Sequence, residues 1–219
     1  MGVCRVNKKA LVGGCILLFL ALVAIFAPVI APYGPNETRF FPSLPPSREH
    51  PLGTTSLGQD IFSQVVWGTR LTLTVGLVTG SICALISTTI GLVSGYFGGW
   101  VDELLSLITN VFLVLPGLPL MIIIAAYITV QSVVPIIVVI SITGWAWGAR
   151  VLRSQMLTLK NRDYVKAAIV AGEHPLRIIF VEILPNMLGL IVANFFGAAL
   201  YAVLSEAGLE FLGLGNVNA

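Results

Sequence analysis

The chain has 219 residues, of which 57% are hydrophobic and only 10% charged, with a mean hydropathy of +0.96, whereas soluble domains carry about 25% charged residues. The apolar residues fall in blocks near the roughly 20 residues that cross a bilayer, which excludes a water-soluble globular protein and makes lipid the solvent for most of the chain. A net charge of +2 is too small to mark a nucleic-acid-binding protein, so the placement of the positive residues matters more than their number.

Residues 1–30 comprise a short tail with Arg5, Lys8 and Lys9 and an apolar run from Leu11 to Ile30. The run exceeds the ~7–15-residue core of a signal peptide, which predicts a retained first transmembrane helix. Residues 31–70 differ in kind. Pro32, Pro35, Pro42, Pro45, Pro46 and Pro51 exclude regular helix or central strand and predict an exposed connection. Ser56-Leu57-Gly58-Gln59 then reads as a capping box, with Leu57, Ile61, Phe62, Val65 and Val66 at helical spacing. The expected amphipathic helix either lies on the membrane surface or packs on the rest of the protein.

Residues 71–219 hold four further spans, near Leu71 to Phe97, Val101 to Ile128, Val133 to Ala149 and Asn186 to Ser205. The expected fold is therefore an all-α membrane protein, a polytopic transmembrane helical bundle with five spans visible. Gly95-Tyr96-Phe97-Gly98-Gly99-Trp100 closes the second span with a tight turn and interfacial aromatics. In the third, Pro116, Gly117 and Pro119 predict either a simple kink or a discontinuity lining a path through the membrane. Gly76, Gly80, Ala84 and Ser87 recur at near four-residue spacing, as helices that approach closely in lipid require. Cys4, Cys15 and Cys83 form no CxxC pair and read as buried small apolar residues.

A cytoplasmic amino terminus places Arg5, Lys8, Lys9, Arg150, Arg153, Lys160, Arg162, Lys166 and Arg177 inside, nine of the twelve basic residues. The segment 31–70 is then extracytoplasmic, and 152–185 is a long cytoplasmic loop. That loop carries helical signals of its own. Asp163 is a good cap, Val165, Ala168, Ile169 and Gly172 fall on one face, and Gly172 can stop the helix. Pro175 fits the first turn of a second short helix, and Leu184-Pro185 predicts a break before the last span. Ala167, Ala168 and Ala171 give the first helix a small-residue face that another surface can approach closely.

Arg162-Asp163-Tyr164-Val165-Lys166-Ala167-Ala168, with Gly172 and then Leu184-Pro185, resembles the EAA loop of ABC-importer permeases. His50-Pro51-Leu52-Gly53-Thr54 with Leu57-Gly58-Gln59-Asp60, the Gly95 to Glu103 stretch, and Phe211-Leu212-Gly213-Leu214-Gly215 resemble the C-type membrane subunit of dipeptide, oligopeptide and nickel permeases. The resemblance implies that Asp163, Lys166, Ala167, Ala168, Gly172, Leu184 and Pro185 form the element that couples to an ATPase. It also implies a second homologous permease, two cytoplasmic ATPase subunits that hold ATP and Mg, and an extracytoplasmic substrate-binding protein. Two departures stand out. Lys166 replaces the usual Glu, removing a capping box with Asp163, and Glu182 stands where an aliphatic residue is usual. The resembled family crosses the membrane once more, so a sixth helix is expected to be missing, either because the chain is shortened or because its last turns are rearranged.

No GxxxxGK[ST] phosphate loop is present, and His50 and His174 suggest no catalytic or metal cluster. The expectation is a non-enzymatic, multi-pass subunit of the cell membrane, without a cofactor of its own, forming half of a translocation path. Glu206, near the outer end of the last span, reads either as a contact for a cationic group in that path or as a residue at the water interface. Arg150 and Arg153 read as positive-inside anchors. The rival functions are a non-transporting membrane scaffold, in which the loop binds a regulatory partner, and a secondary transporter, which nearly charge-free span interiors disfavour.

Overall fold

The computed structural model describes residues 8–127 and 133–213. Cys4, Arg5, the loop around Gln131 and Leu214-Gly215 of the last motif lie outside them. The described residues divide into two compact units, one up to Thr74 and one from Val75 onward.

In the first unit, α1 (Lys8–Ile25) turns at Phe26 into the short α2 (Ala27–Ile30). Side chains all round α1, among them Leu11, Leu18, Phe19 and Ile25, are exposed, as suits a helix whose solvent is lipid. Cys15 is exposed on it and Cys83 is buried elsewhere, so only the second fits the expectation of burial.

Residues 31–60 form neither regular helix nor strand, as their prolines predict, yet they are ordered. Backbone hydrogen bonds knit them together, including Thr54 N–H to the Leu44 carbonyl (3.1 Å), Ser43 to Thr55 (3.0 Å) and Ile61 to Gly53 (3.1 Å). Proline removes its own donor but leaves its neighbours free to pair. Gly53 and Gly58 adopt positive φ of 80° and 73°, and a Cβ there would fall 2.4 Å from the Leu44 carbonyl and 2.2 Å from that of Phe40. Only glycine fits either place. Inside, the His50 ring packs edge-on to Phe40 with centroids 4.5 Å apart, and its Nδ1 lies 2.9 Å from Asp60 Oδ1. Asp60 Oδ2 accepts from the Ser63 N–H (2.8 Å) and hydroxyl (2.7 Å). Burial alone would raise the Asp60 carboxyl, but the hydrogen bonds from Ser63 and His50 outweigh it and hold the group below its ordinary value.

This geometry corrects the sequence reading of the next helix. Ser56 to Gly58 is turn, and Asp60 is the cap of α3 (Ile61–Phe97), with Ser63 at the third helical position. Leu57 is exposed rather than part of a helical face. No separate amphipathic helix exists. The residues assigned to it open the same 37-residue helix as the second span, because nothing between Val66 and Leu71 interrupts hydrogen bonding.

In the second unit, α4 (Gly99–Val114) and α5 (Gly117–Tyr127) form one apolar stretch bent by 86°, and α6 (Val133–Gly144) and α7 (Ala146–Lys160) another bent by 41°. There follow α8 (Asp163–Val170), α9 (Pro175–Arg177), a π-helical turn (Ile178–Ile183) and α10 (Leu184–Phe211). Among the described residues three helices are long and apolar enough to cross a membrane, and five if each bent pair is one span. Two expected boundaries move. The fourth span runs on to Lys160, so residues 152–160 are helix rather than loop. Nor does Leu184-Pro185 break the chain, since Pro175–Phe211 is continuous. The π turn explains this: Leu184 N–H reaches the Ile179 carbonyl five residues back, and the wider turn makes room for the proline ring.

Lipid offers no hydrophobic reward for helix association, so close packing and hydrogen bonds must supply it. The small residues of α3 do so. A Cβ on Gly76 or Gly80 would fall 2.9 Å from Val203 or Ala199 of α10, and one on Gly91 or Gly95 would fall 2.7 Å from Leu152 or Met156 of α7. At the far end of α3 a buried apolar cluster of Leu92, Tyr96, Leu152, Met156, Val165, Ile178, Ile183 and Met187 joins α7, α8, the π turn and α10.

Candidate functional site

The predicted coupling residues sit on a compact helical turn structure. α8 begins with Asp163 as its first helical residue, whereas Arg162 occupies the cap position and makes no side-chain cap bond. Asp163 therefore acts through the positive end of the helix dipole rather than as a cap. Lys166 then falls one place beyond the capping-box position, so its departure from Glu costs no box. The helix ends as expected. Gly172 has φ of 77°, its N–H bonds the Ile169 carbonyl (3.0 Å), and Glu173 N–H bonds that of Ala168 (3.1 Å), a Schellman closure. His174 caps the next turn by accepting from Leu176 N–H at 3.3 Å.

The faces of α8 divide differently from the expectation. Val165 is fully buried and Ala168 packs against its cluster, whereas Ala167, Ala171, Ile169 and Val170 are exposed, Val170 at 88%. The small residues thus split between an inward Ala168 and an outward Ala167 and Ala171. Ile169 does not share the buried face. Pro185 is exposed and Leu184 half-buried at the root of α10. Glu182 lies in the π turn, where its carbonyl accepts from the Asn186 amide at 2.7 Å.

An ion pair and a further hydrogen bond tie α4 to α7. Arg153 grips Asp102 with two hydrogen bonds of 2.5 and 2.6 Å, Ser106 donates to the same carboxylate, and Arg150 donates to Asn110 at 2.7 Å. Lys160 donates to the Tyr96 carbonyl. Arg153 is thus neutralised within the chain, and the Gly95 to Glu103 motif supplies its partner. This pairing was not predictable from sequence, where Asp102 and Arg153 stand 51 residues apart.

The bend in α4–α5 falls at Leu115-Pro116, and Pro116 cannot donate to the Phe112 carbonyl four residues back. The bend in α6–α7 falls at Trp145, where no proline stands. There Ser87 Oγ donates to the Trp145 carbonyl at 2.6 Å and Cys83 Sγ reaches the Ser141 carbonyl at 3.8 Å. Tyr201 of α10 lies against both bends. A Cβ on Gly117 would fall 2.9 Å from its hydroxyl, and one on Gly144 would fall 3.2 Å from its ring. Between the bends is a cavity of about 300 Å³ bordered by Phe112, Leu115, Trp147, Gly148, Asn194 and Tyr201 among others. Pro116 and Gly117 stand at the first bend and Pro119 in the first turn of α5, and none of the three is among the residues bordering the cavity. Sequence reasoning found Pro116 and Gly117 but missed Tyr201 and Asn194, which look like ordinary members of an apolar helix.

Glu206 does not sit at a water interface. It is 2% exposed, and neither carboxylate oxygen has a hydrogen-bond partner among the described residues. The described residues contain no cluster of His, Cys, Asp and Glu able to hold a metal.

Comparison with known proteins supplies the context. Residues 87–218 match the family described as binding-protein-dependent transport system inner membrane component, and residues 4–46 match the N-terminal TM domain of oligopeptide transport permease C. The chain is 36% identical to the oligopeptide transport system permease protein OppC of Bacillus subtilis, over 96% of this chain and 69% of that protein. It is 37% identical to the dipeptide transport system permease protein DppC of the same organism, over 95% and 65%. With DppC of Haemophilus influenzae it shares 35% identity, over 95% and 73%. The chain thus spans about two thirds to three quarters of the length of these relatives.

Proposed function

Because the chain belongs to the family of binding-protein-dependent transport inner membrane components, we propose that it is one permease subunit of an ATP-driven importer of dipeptides or oligopeptides. The observation that carries this reading is similarity to peptide permeases along nearly the whole chain. The exposed face of α8 fits it. Val165 anchors the helix from below, leaving Ala167, Val170 and Ala171 to enter a groove on an ATPase subunit.

The positive residues orient the subunit with its amino terminus in the cytoplasm, residues 31–60 outside and α8 inside. A second homologous permease would complete the path, a binding protein would deliver cargo to the outer face, and two ATPase subunits would bind ATP and Mg below. Hydrolysis belongs to those subunits. Nucleotide favours one of two states of the permease pair and cargo release the other, which is what alternating access requires.

The outward Ala167 provides the test. Ala167→Arg is expected to abolish co-purification of the ATPase subunits and uptake of peptide while the permease remains folded and membrane-inserted. Retention of the ATPases by that variant, with full uptake, overturns docking through α8.

A further inference from the structure

The cavity between the two bends has a chemistry that apolar packing does not explain. Asn194 is 8% exposed and its Nδ2 is buried without a hydrogen-bond partner among the described residues. Its carboxamide is pressed against α7, where a Cβ on Gly148 would fall 2.2 Å from Oδ1. An unpaired buried amide is costly, and leucine would fill the same space without that cost. No charged side chain borders the cavity. Phe112, whose carbonyl Pro116 leaves without its usual helical donor, also borders the cavity. The walls therefore offer a primary amide and the rings of Trp147 and Tyr201.

We infer that this cavity holds the peptide linkage of the cargo, with Asn194 as a specificity-determining residue that pairs with one backbone amide during passage. The inference rests on the peptide-import reading above. A peptide unit carries one donor and one acceptor, and a carboxamide supplies the complement of both. Charged cargo termini are poor occupants, because a chargeless wall would desolvate them without a partner. Recognition through the backbone leaves the cargo side chains unread, and the aromatic walls accept them by contact area.

The test uses the complete importer in liposomes, with its binding protein saturated so that uptake per complex is compared. The cargoes are a tripeptide and the same tripeptide N-methylated at one peptide bond. Wild type is expected to favour the unmethylated form by about tenfold, the worth of one hydrogen bond. Asn194→Leu is expected to lose that preference and Asn194→Gln to keep part of it, with assembly and ATP hydrolysis intact in both. Gly148→Ala, which displaces the carboxamide from α7, is expected to weaken the preference too and serves if the leucine variant does not assemble. A Leu or Ala variant that assembles and keeps the wild-type preference overturns the inference. Wild type that imports both cargoes equally also overturns it and leaves the peptide-import reading standing. A wild-type complex that imports no peptide overturns both.

Discussion

The two bent spans of the second unit turn by different means. At Leu115-Pro116 the cause is covalent: proline withholds a donor and its ring obstructs the preceding turn, and the bend reaches 86°. At Trp145 the cause is a neighbour: α3 presents Ser87 and Cys83 to carbonyls at the turn, and the bend is 41°. A bend of the first kind is carried by its own segment. One of the second kind exists only while the adjacent helix stays in contact, so its shape responds to whatever moves that helix.

Three experiments separate these cases. The largest effect is expected from Gly91→Leu, whose Cβ alone would fall 2.7 Å from Leu152 and 3.0 Å from the Arg153 backbone. Overpacking against backbone should cost about 3 kcal/mol in thermal unfolding in detergent. It should also loosen the α6–α7 bend while sparing the α4–α5 bend. Next is Pro116→Ala, which gives the Phe112 carbonyl its donor back and favours the straighter span by on the order of 2 kcal/mol. Spin labels at exposed Leu104 and Ile123 should move apart, and an unchanged separation would show that tertiary contacts hold this bend too. Ser87→Ala should cost about 1 kcal/mol, the net worth of one buried hydrogen bond, and narrow only the bend at Trp145.

The smallest expected effect belongs to Asp60 in the first unit. Asp60 is held below its ordinary 3.8, so its contribution is complete above the unfolded carboxylate range and is lost as pH falls through its lower folded value. Acid titration followed by tryptophan fluorescence should show wild type and Asp60→Asn converging only in strongly acidic solution. Convergence already at pH 6 would reassign the stabilisation to another group.

The sequence makes the apolar spans legible because hydrophobic blocks depend only on local composition. Pro116 and Gly172 are equally plain, since each acts on the backbone of its own turn. The seam of Gly76 and Gly80 is visible as a spacing, although its partners on α10 are not. What escapes is tertiary. The bend at Trp145 is met by Ser87, 58 residues away, and the ordered packing of residues 31–60 comes from His50, Thr54 and Asp60, scattered among prolines that by themselves indicate only an exposed connection. Asn194 and Tyr201 escape because one polar atom in an apolar helix looks incidental until a cavity and two bends are found beside it. Asp163 shows the limit at a helix end: its residue type was right for a cap, and the chain begins the helix one place earlier.

The π turn before Pro185 has a mechanical consequence. By absorbing the proline without a break it makes Pro175–Phe211 a single rod of 37 residues, about 55 Å long at 1.5 Å per residue. Its root is clamped to Val165 and Leu152 through Ile178, Ile183 and Met187, and Asn194 and Tyr201 ride about 17 to 27 Å beyond Ile183. Each degree of tilt about that clamp displaces those two side chains by roughly 0.3 to 0.5 Å, so a tilt of a few degrees would shift them by more than the tolerance of a hydrogen bond.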